Sequence, residues 1–204
     1  MSHCRDQRFC VVPDGDLFKA IKHGKASVVT GEIDTFTETG IMVKGSNEEI
    51  KADIIISATG LNIKLAGGVQ FTVNGVVHKD MSKMFMYKGI MLSGVPNLIF
   101  SIGYTNATFT LKVDLVGIYL CRLIKHMDEH GYKRCCPIYG SLPGENLEDQ
   151  GEPLLNLSSG YLQRADNLFP KQGKQSPWKY YQNYFYDLFS FRLGAINDGS
   201  LKFW

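Results

Sequence analysis

No run of about 18 apolar residues occurs in this 204-residue chain, so no membrane-spanning helix is expected. One-sided charge is lacking too. With 22 Lys+Arg against 20 Asp+Glu and a formal net charge of +2, there is neither a nucleic-acid stripe nor a polybasic membrane patch nor an acidic tail. The five cysteines (Cys4, Cys10, Cys121, Cys135 and Cys136) form no C-x-x-C pair and have no matching His spacing. That pattern argues against a disulfide framework and a zinc site and fits free thiols in a reducing compartment. His126 and His130 lie four apart on an expected helix without a third ligand or an H-E-x-x-H motif, so they read as a solvated helix face. Residues 1–10 carry Arg5, Asp6 and Arg8 and no apolar leader core, so a cytoplasmic location is expected. None of the 21 glycines forms a G-x-G-x-x-G phosphate loop, and no internal repeat is visible.

What is present is an ordinary globular composition. Hydrophobic residues make up 44% of the chain, enough to bury a core in one or two domains. Glycine exceeds its usual share of about 7%, a surplus to be placed in turns or where backbone approaches a ligand.

The first sixty residues alternate. Pro13-Asp14-Gly15-Asp16 starts a short helix with Leu17, Phe18, Ala20 and Ile21 that closes at Gly24. Runs 26–30, 33–37 and 41–44 are expected to form a β-meander, followed by a polar hairpin turn at 45–49 leading into Ile50, Lys51 and Ala52. Residues 53–58 are continuously apolar after Asp53, as in a strand buried on both faces. Further on, Asn74-Gly75 marks a hairpin with Val69, Phe71 and Val73 on one face. Met81, Met84, Met86 and Met91 read as core filler.

Residues 98–102 are expected to be a second buried strand, leading through a polar turn into the longest helix. Val116, Leu120, Leu123, Ile124 and Met127 give that helix its apolar face, and Gly131 ends it. Residues 137–153, rich in Gly, Pro and acidic side chains, read as a surface excursion, and 161–169 as a short helix. Residues 178–191 hold eight aromatics, with Tyr181, Phe185 and Phe189 at helical spacing and Pro177 suited to the first turn. This aromatic helix suits either a hydrophobic substrate entrance or a packed or membrane-facing surface.

Two constellations could carry chemistry. In the first, Ala58-Thr59-Gly60 follows the 53–58 run, where open α/β sheets bind cofactors and where small residues let backbone approach a ligand. In the second, Gly103, Tyr104, Thr105, Asn106, Ala107 and Thr108 lie between the 98–102 run and the long helix, whose N-terminal amides and dipole favour negative charge. Taken alone, each has a plain reading, as a turn after a strand and as a helix cap from Thr105, Asn106 or Thr108. Together they suit a nucleotide cofactor site.

The segments Asp53-Ile-Ile-Ile-Ser-Ala-Thr-Gly60, Pro96-Asn-Leu-Ile-Phe-Ser-Ile-Gly-Tyr104 and Tyr104-Thr-Asn-Ala-Thr-Phe-Thr-Leu-Lys112-Val-Asp-Leu115, with Pro170-Lys-Gln-Gly173 and Pro177-Trp178, carry a family resemblance. As a set they resemble the carboxyl-terminal part of class B flavoprotein monooxygenases of the Baeyer-Villiger type, nearest the ethionamide-activating enzymes of mycobacteria. The resemblance runs from about Cys10 to about Leu201. It implies an enzyme using FAD, NADPH and O2 to oxygenate a small hydrophobic ketone or a sulfur or nitrogen atom. It also implies an α/β fold: an incomplete Rossmann-like FAD/NAD(P)-binding portion with a β-meander and a C-terminal helical cap.

In the family, the A-T-G segment lies where the chain returns from the NADPH domain to the FAD domain, here Ala58, Thr59 and Gly60. The later turn lies near the isoalloxazine ring, here Gly103 through Thr108. The implied domains are residues 1–60 (meander and domain junction), 61–136 (C-terminal part of the FAD domain) and 137–204 (extension with the aromatic helix). Both G-x-G-x-x-G loops and the F-x-G-x-x-x-H-x-x-x-W-P fingerprint are absent, and no arginine among Arg5, Arg8, Arg122, Arg134, Arg164 and Arg192 matches the family's active-site motif. No catalytic residue is therefore assigned. A missing N-terminal half is the implied partner, and a homo-oligomer is an open alternative. The rival reading is a non-catalytic binding module built on the same fold. A disulfide-reductase-like flavoprotein is a third, disfavoured by the missing C-x-x-C.

Overall fold

The computed structural model describes residues 12–60, 62–78, 80–145, 148, 150–155 and 160–204. The readings on residues 1–10, Cys4 and Cys10 included, lie outside them. The chain divides into two compact units, one up to residue 61 and one from residue 62.

In the first unit, helix α1 (Asp16–Lys22) precedes an antiparallel three-stranded sheet of β1 (Ile33–Phe36), β2 (Gly40–Val43) and β3 (Glu49–Lys51) in the order β1-β2-β3. The meander is real but shifted. Residues 26–30 take no strand, and the third strand is the segment after the polar turn. Thr37 and Thr39 both donate hydroxyl hydrogen bonds to Glu49, locking β3 to the β1–β2 turn and holding its carboxyl below the usual range.

The expected buried strand at 53–58 is corrected. Residues 54–60 belong to no strand, with Ile54 82% and Ile56 85% exposed. A continuous apolar run becomes a doubly buried strand only when strands flank it on both sides, and among the described residues none does.

The second unit has two adjoining cores. One gathers Tyr87, Ile90, Met91, Leu115, Tyr119, Leu123, Trp178 and Phe191; the other gathers Met84, Met86, Leu92, Leu154, Phe169 and Tyr180. The methionines are core filler as expected: Met86 and Met91 are fully buried in the short hairpin of β6 (Met86–Tyr87) and β7 (Met91–Leu92), and Met84 is buried beside it. The hairpin β4 (Phe71–Val73) to β5 (Val76–His78) turns at Asn74-Gly75, both with positive φ (51° and 82°). A two-residue turn of this hand matches the strand twist, which explains the Asn-Gly pair.

Residues 98–102 are extended and half-buried rather than a laddered strand. Their alternation still works: Leu98, Phe100 and Ile102 pack on one core and Ile99 on the other, so this segment divides the two.

Helix α2 (Phe109–His130) is the longest element, ending at Gly131 as expected. It buries Leu115, Val116, Tyr119 and Leu123 against helix α4 (Tyr184–Leu193). Near the C-terminal end of α4, Arg122 donates to the carbonyl oxygens of Phe191 (2.6 Å) and Gly194 (2.8 Å), satisfying groups left bare by the helix end. The aromatic helix is shorter than expected. Residues 176–178 form a turn, Trp178 is buried edge-on to Tyr87 and Tyr139, and the helix is capped by Asn183, whose side chain accepts from the Tyr186 amide at 3.1 Å. Phe185, Phe189 and Leu193 stay exposed.

Strand β8 (Cys135–Pro137) pairs with β11 (Leu201–Phe203), and β9 (Glu152–Pro153) with β10 (Lys171–Gln172). Helix α3 (Gly160–Ala165) continues into a 3₁₀ turn, Asp166–Leu168. The architecture is mixed α/β with small antiparallel sheets. No helix among the described residues is long and apolar enough to cross a membrane.

Candidate functional site

The turn at 103–108 is built from both sides. The extended segment delivers Gly103 and Tyr104 into the interior, and the chain then emerges through Asn106 to Thr108 before α2 begins at Phe109. A side chain at Gly103 would collide with the Phe109 ring, so glycine lets the turn fold back onto the first residue of the helix.

Opposite the turn runs 180–187. The Tyr180 hydroxyl donates to the carbonyl oxygens of Ile102 (2.8 Å) and Gly103 (3.2 Å). The Gln182 side-chain oxygen accepts from the Thr105 amide (2.8 Å) and hydroxyl (3.2 Å), and the Asn106 side-chain amide donates to the Gln182 carbonyl (3.1 Å). Expectation had made Thr105, Asn106 or Thr108 the helix cap. Thr108 does occupy the N-cap position, yet its hydroxyl accepts from Thr110 at 3.5 Å and makes no capping bond, while the polar groups of Thr105 and Asn106 turn to Gln182. The first amides of a 22-residue helix thus lack a side-chain cap beneath exposed Asn106 and Thr108, an arrangement suited to a negative or strongly polar ligand atom.

Beneath the turn lies a buried ion pair. A single carboxylate oxygen of Asp187 receives both the Lys112 ammonium and the Tyr104 hydroxyl, each at 2.6 Å. Lys112 has no exposed surface, and its nitrogen lies 4.6 to 5.3 Å from the ring centres of Phe191, Tyr180 and Tyr104. Burial lowers its pKa against the opposing pull of Asp187. Burial also raises the pKa of the Tyr104 phenol, with its bond to Asp187 adding to the effect, so it stays a neutral donor.

A second buried group repeats the chemistry. Tyr87 donates to Asp198 at 2.8 Å, and Lys88 sits 3.5 Å from the same carboxylate. An apolar groove of about 570 Å³ flanks the turn, lined by Ile102, Phe109, Phe71, Leu98 and Phe100 among others.

Ala58, Thr59 and Gly60 belong to the first unit. They are exposed, with Gly60 at φ 85°. In the second unit, Gly103 through Thr108 are drawn together with Tyr180, Gln182, Lys112 and Asp187. Sequence reasoning missed these four. The readable signal was a charge on an apolar helix face: Lys112 precedes Leu115, Val116, Tyr119 and Leu123 at helical spacing, and Asp187 sits inside the aromatic run.

Comparison with known proteins finds FAD-containing monooxygenases among the relatives of this sequence. The chain is 46% identical over 198 residues to the FAD-containing monooxygenase EthA of Mycobacterium tuberculosis and 47% identical to EthA of Mycolicibacterium smegmatis. It is also 47% identical over 199 residues to the probable FAD-binding monooxygenase AlmA of Acinetobacter baylyi. Each match covers 97% of this chain and 39% of the relative. The chain is therefore similar to the carboxyl-terminal part of FAD-containing monooxygenases and spans about two fifths of their length. No family model and no solved structure matches it.

Proposed function

We propose that the chain is the carboxyl-terminal part of a flavin- and NADPH-dependent monooxygenase of the Baeyer-Villiger type, inactive by itself. The observation that carries the reading is the 46% identity to an FAD-containing monooxygenase across 97% of the chain. The uncapped start of α2 fits the cofactor: Gly103 to Thr108 would face the flavin ring, and the helix dipole would favour negative charge on it. When bound, FAD reduced by NADPH supplies the activation of O2 for oxygen transfer. This chain's own groups orient that ring, and the Ile102 and Phe109 groove gives an apolar wall for a small hydrophobic ketone or a sulfur or nitrogen compound. Ala58, Thr59 and Gly60 would mark the return from the NADPH domain into the FAD domain.

The proposed partner is the amino-terminal portion of such an enzyme. Residues 54–58 are then a strand of a Rossmann-like sheet whose neighbours that portion contributes. Exposed Ile54 and Ile56 support this, because apolar strand residues are costly to leave in water. A cytoplasmic location follows from the same reading.

Co-expression with the amino-terminal portion of a relative tests it. The expected product is a yellow complex that oxidises NADPH, with a colourless chain when expressed alone. A well-behaved colourless monomer that ignores that portion and binds an apolar ligand would favour a non-catalytic module instead.

A further inference from the structure

We propose that Gln182 is a positioning residue: through it, the segment 180–187 sets the backbone of the turn 103–106. The importance of that turn rests on the flavin reading above; the device itself does not. Every residue from Ile102 to Asn106 is tied to this segment, and Gln182 reaches the middle of the turn, where its side-chain oxygen takes both Thr105 donors.

Two features mark it as more than a chance contact. Its backbone has φ 52°, a left-handed conformation that residues other than Gly, Asn and Asp seldom adopt, held between the anchored Tyr180 and the Asn183 cap. In addition, one side-chain oxygen takes both the amide and the hydroxyl of Thr105, so the contact with the turn is made by the acceptor end of the side chain. An acceptor contact separates substitutions sharply: glutamate keeps the accepting oxygen, whereas methionine of similar length does not. By linkage, a ligand that needs the native turn favours docking of 180–187, and loosening that segment weakens the ligand by the same factor.

The test is residue-resolved amide hydrogen exchange by NMR on the full chain, with no FAD present, so failure of the flavin reading would appear in the co-expression experiment and not here. Gln182→Met should speed exchange of the Thr105 amide about tenfold while leaving Leu115, Tyr119 and Leu123 within about twofold, and Gln182→Glu should keep Thr105 within about threefold of native. Gln182→Gly removes the acceptor yet suits the positive φ, and it serves if the Met variant does not fold. An unchanged Thr105 amide in the Met and Gly variants would overturn the proposal. So would a speeding shared equally by the α2 amides, or a Glu variant as fast as Met.

Discussion

Replacing Asp187 by alanine is the sharpest perturbation of the buried pair. Lys112 is fully buried and Asp187 is 5% exposed, and one carboxylate oxygen satisfies both the ammonium and the Tyr104 phenol. Asp187→Ala leaves a buried cation without its carboxylate, which typically costs about 3–5 kcal/mol, and removes the acceptor of the Tyr104 phenol for about 1 kcal/mol more. For a unit of this size, about 3 °C per kcal/mol puts the drop in thermal midpoint at roughly 12–18 °C. Asp187→Asn keeps an acceptor for Tyr104 while removing the charge, so adding Lys112→Met should recover about 2–3 kcal/mol relative to Asp187→Asn alone. Circular dichroism melts of the native chain, Asp187→Ala, Asp187→Asn and the double variant test both expectations. A drop below about 3 °C for Asp187→Ala would refute the reasoning, as would a double variant no more stable than Asp187→Asn.

Three further outcomes follow from the same geometry. Arg122→Ala strips the carbonyls of Phe191 and Gly194 of their charged donor and should cost about 1.5–3 kcal/mol in urea unfolding; a loss under about 0.5 kcal/mol would contradict the cap. Burial holds the phenols of Tyr87, Tyr104, Tyr119 and Tyr180 above their ordinary pKa of 10.0. The unfolded chain therefore sheds these protons first, and stability falls as pH rises past 10.0; an ultraviolet titration of the ten tyrosines should show these four silent until the chain unfolds. Among the described cysteines, exposed Cys121 should take up a thiol reagent quickly, while Cys136, whose thiol is pushed up to about 11 by burial, and buried Cys135 should react only on unfolding.

Local chemistry was legible in the sequence where it depended on neighbours along the chain. Asn74-Gly75 named its turn, Gly131 ended α2, and the Met81 to Met91 spacing announced core. The expectation failed where the deciding partner was distant. An apolar run such as 54–56 says that it wants burial but cannot supply the strands that bury it. Trp178 was read as helical from spacing, yet packing against Tyr87 and Tyr139 pulled it into a turn.

The turn at 103–108 was found by its residues, and its supports were not. Thr105 and Asn106 looked like caps because local hydrogen bonding favours that role, and only the fold shows Gln182, 77 positions away from Thr105, engaging them instead. The Lys112 and Asp187 charges stood on apolar faces, a signal in plain view, but each explains the other only when the two helices cross.

The most direct test of the account asks whether this turn meets the flavin. In the complex reassembled with a relative's amino-terminal portion, amide exchange of residues 103–109 is compared with and without FAD. The account predicts marked slowing across the turn and the first amides of α2, with little change in α1 or in β8. FAD binding that leaves those amides unchanged would contradict it.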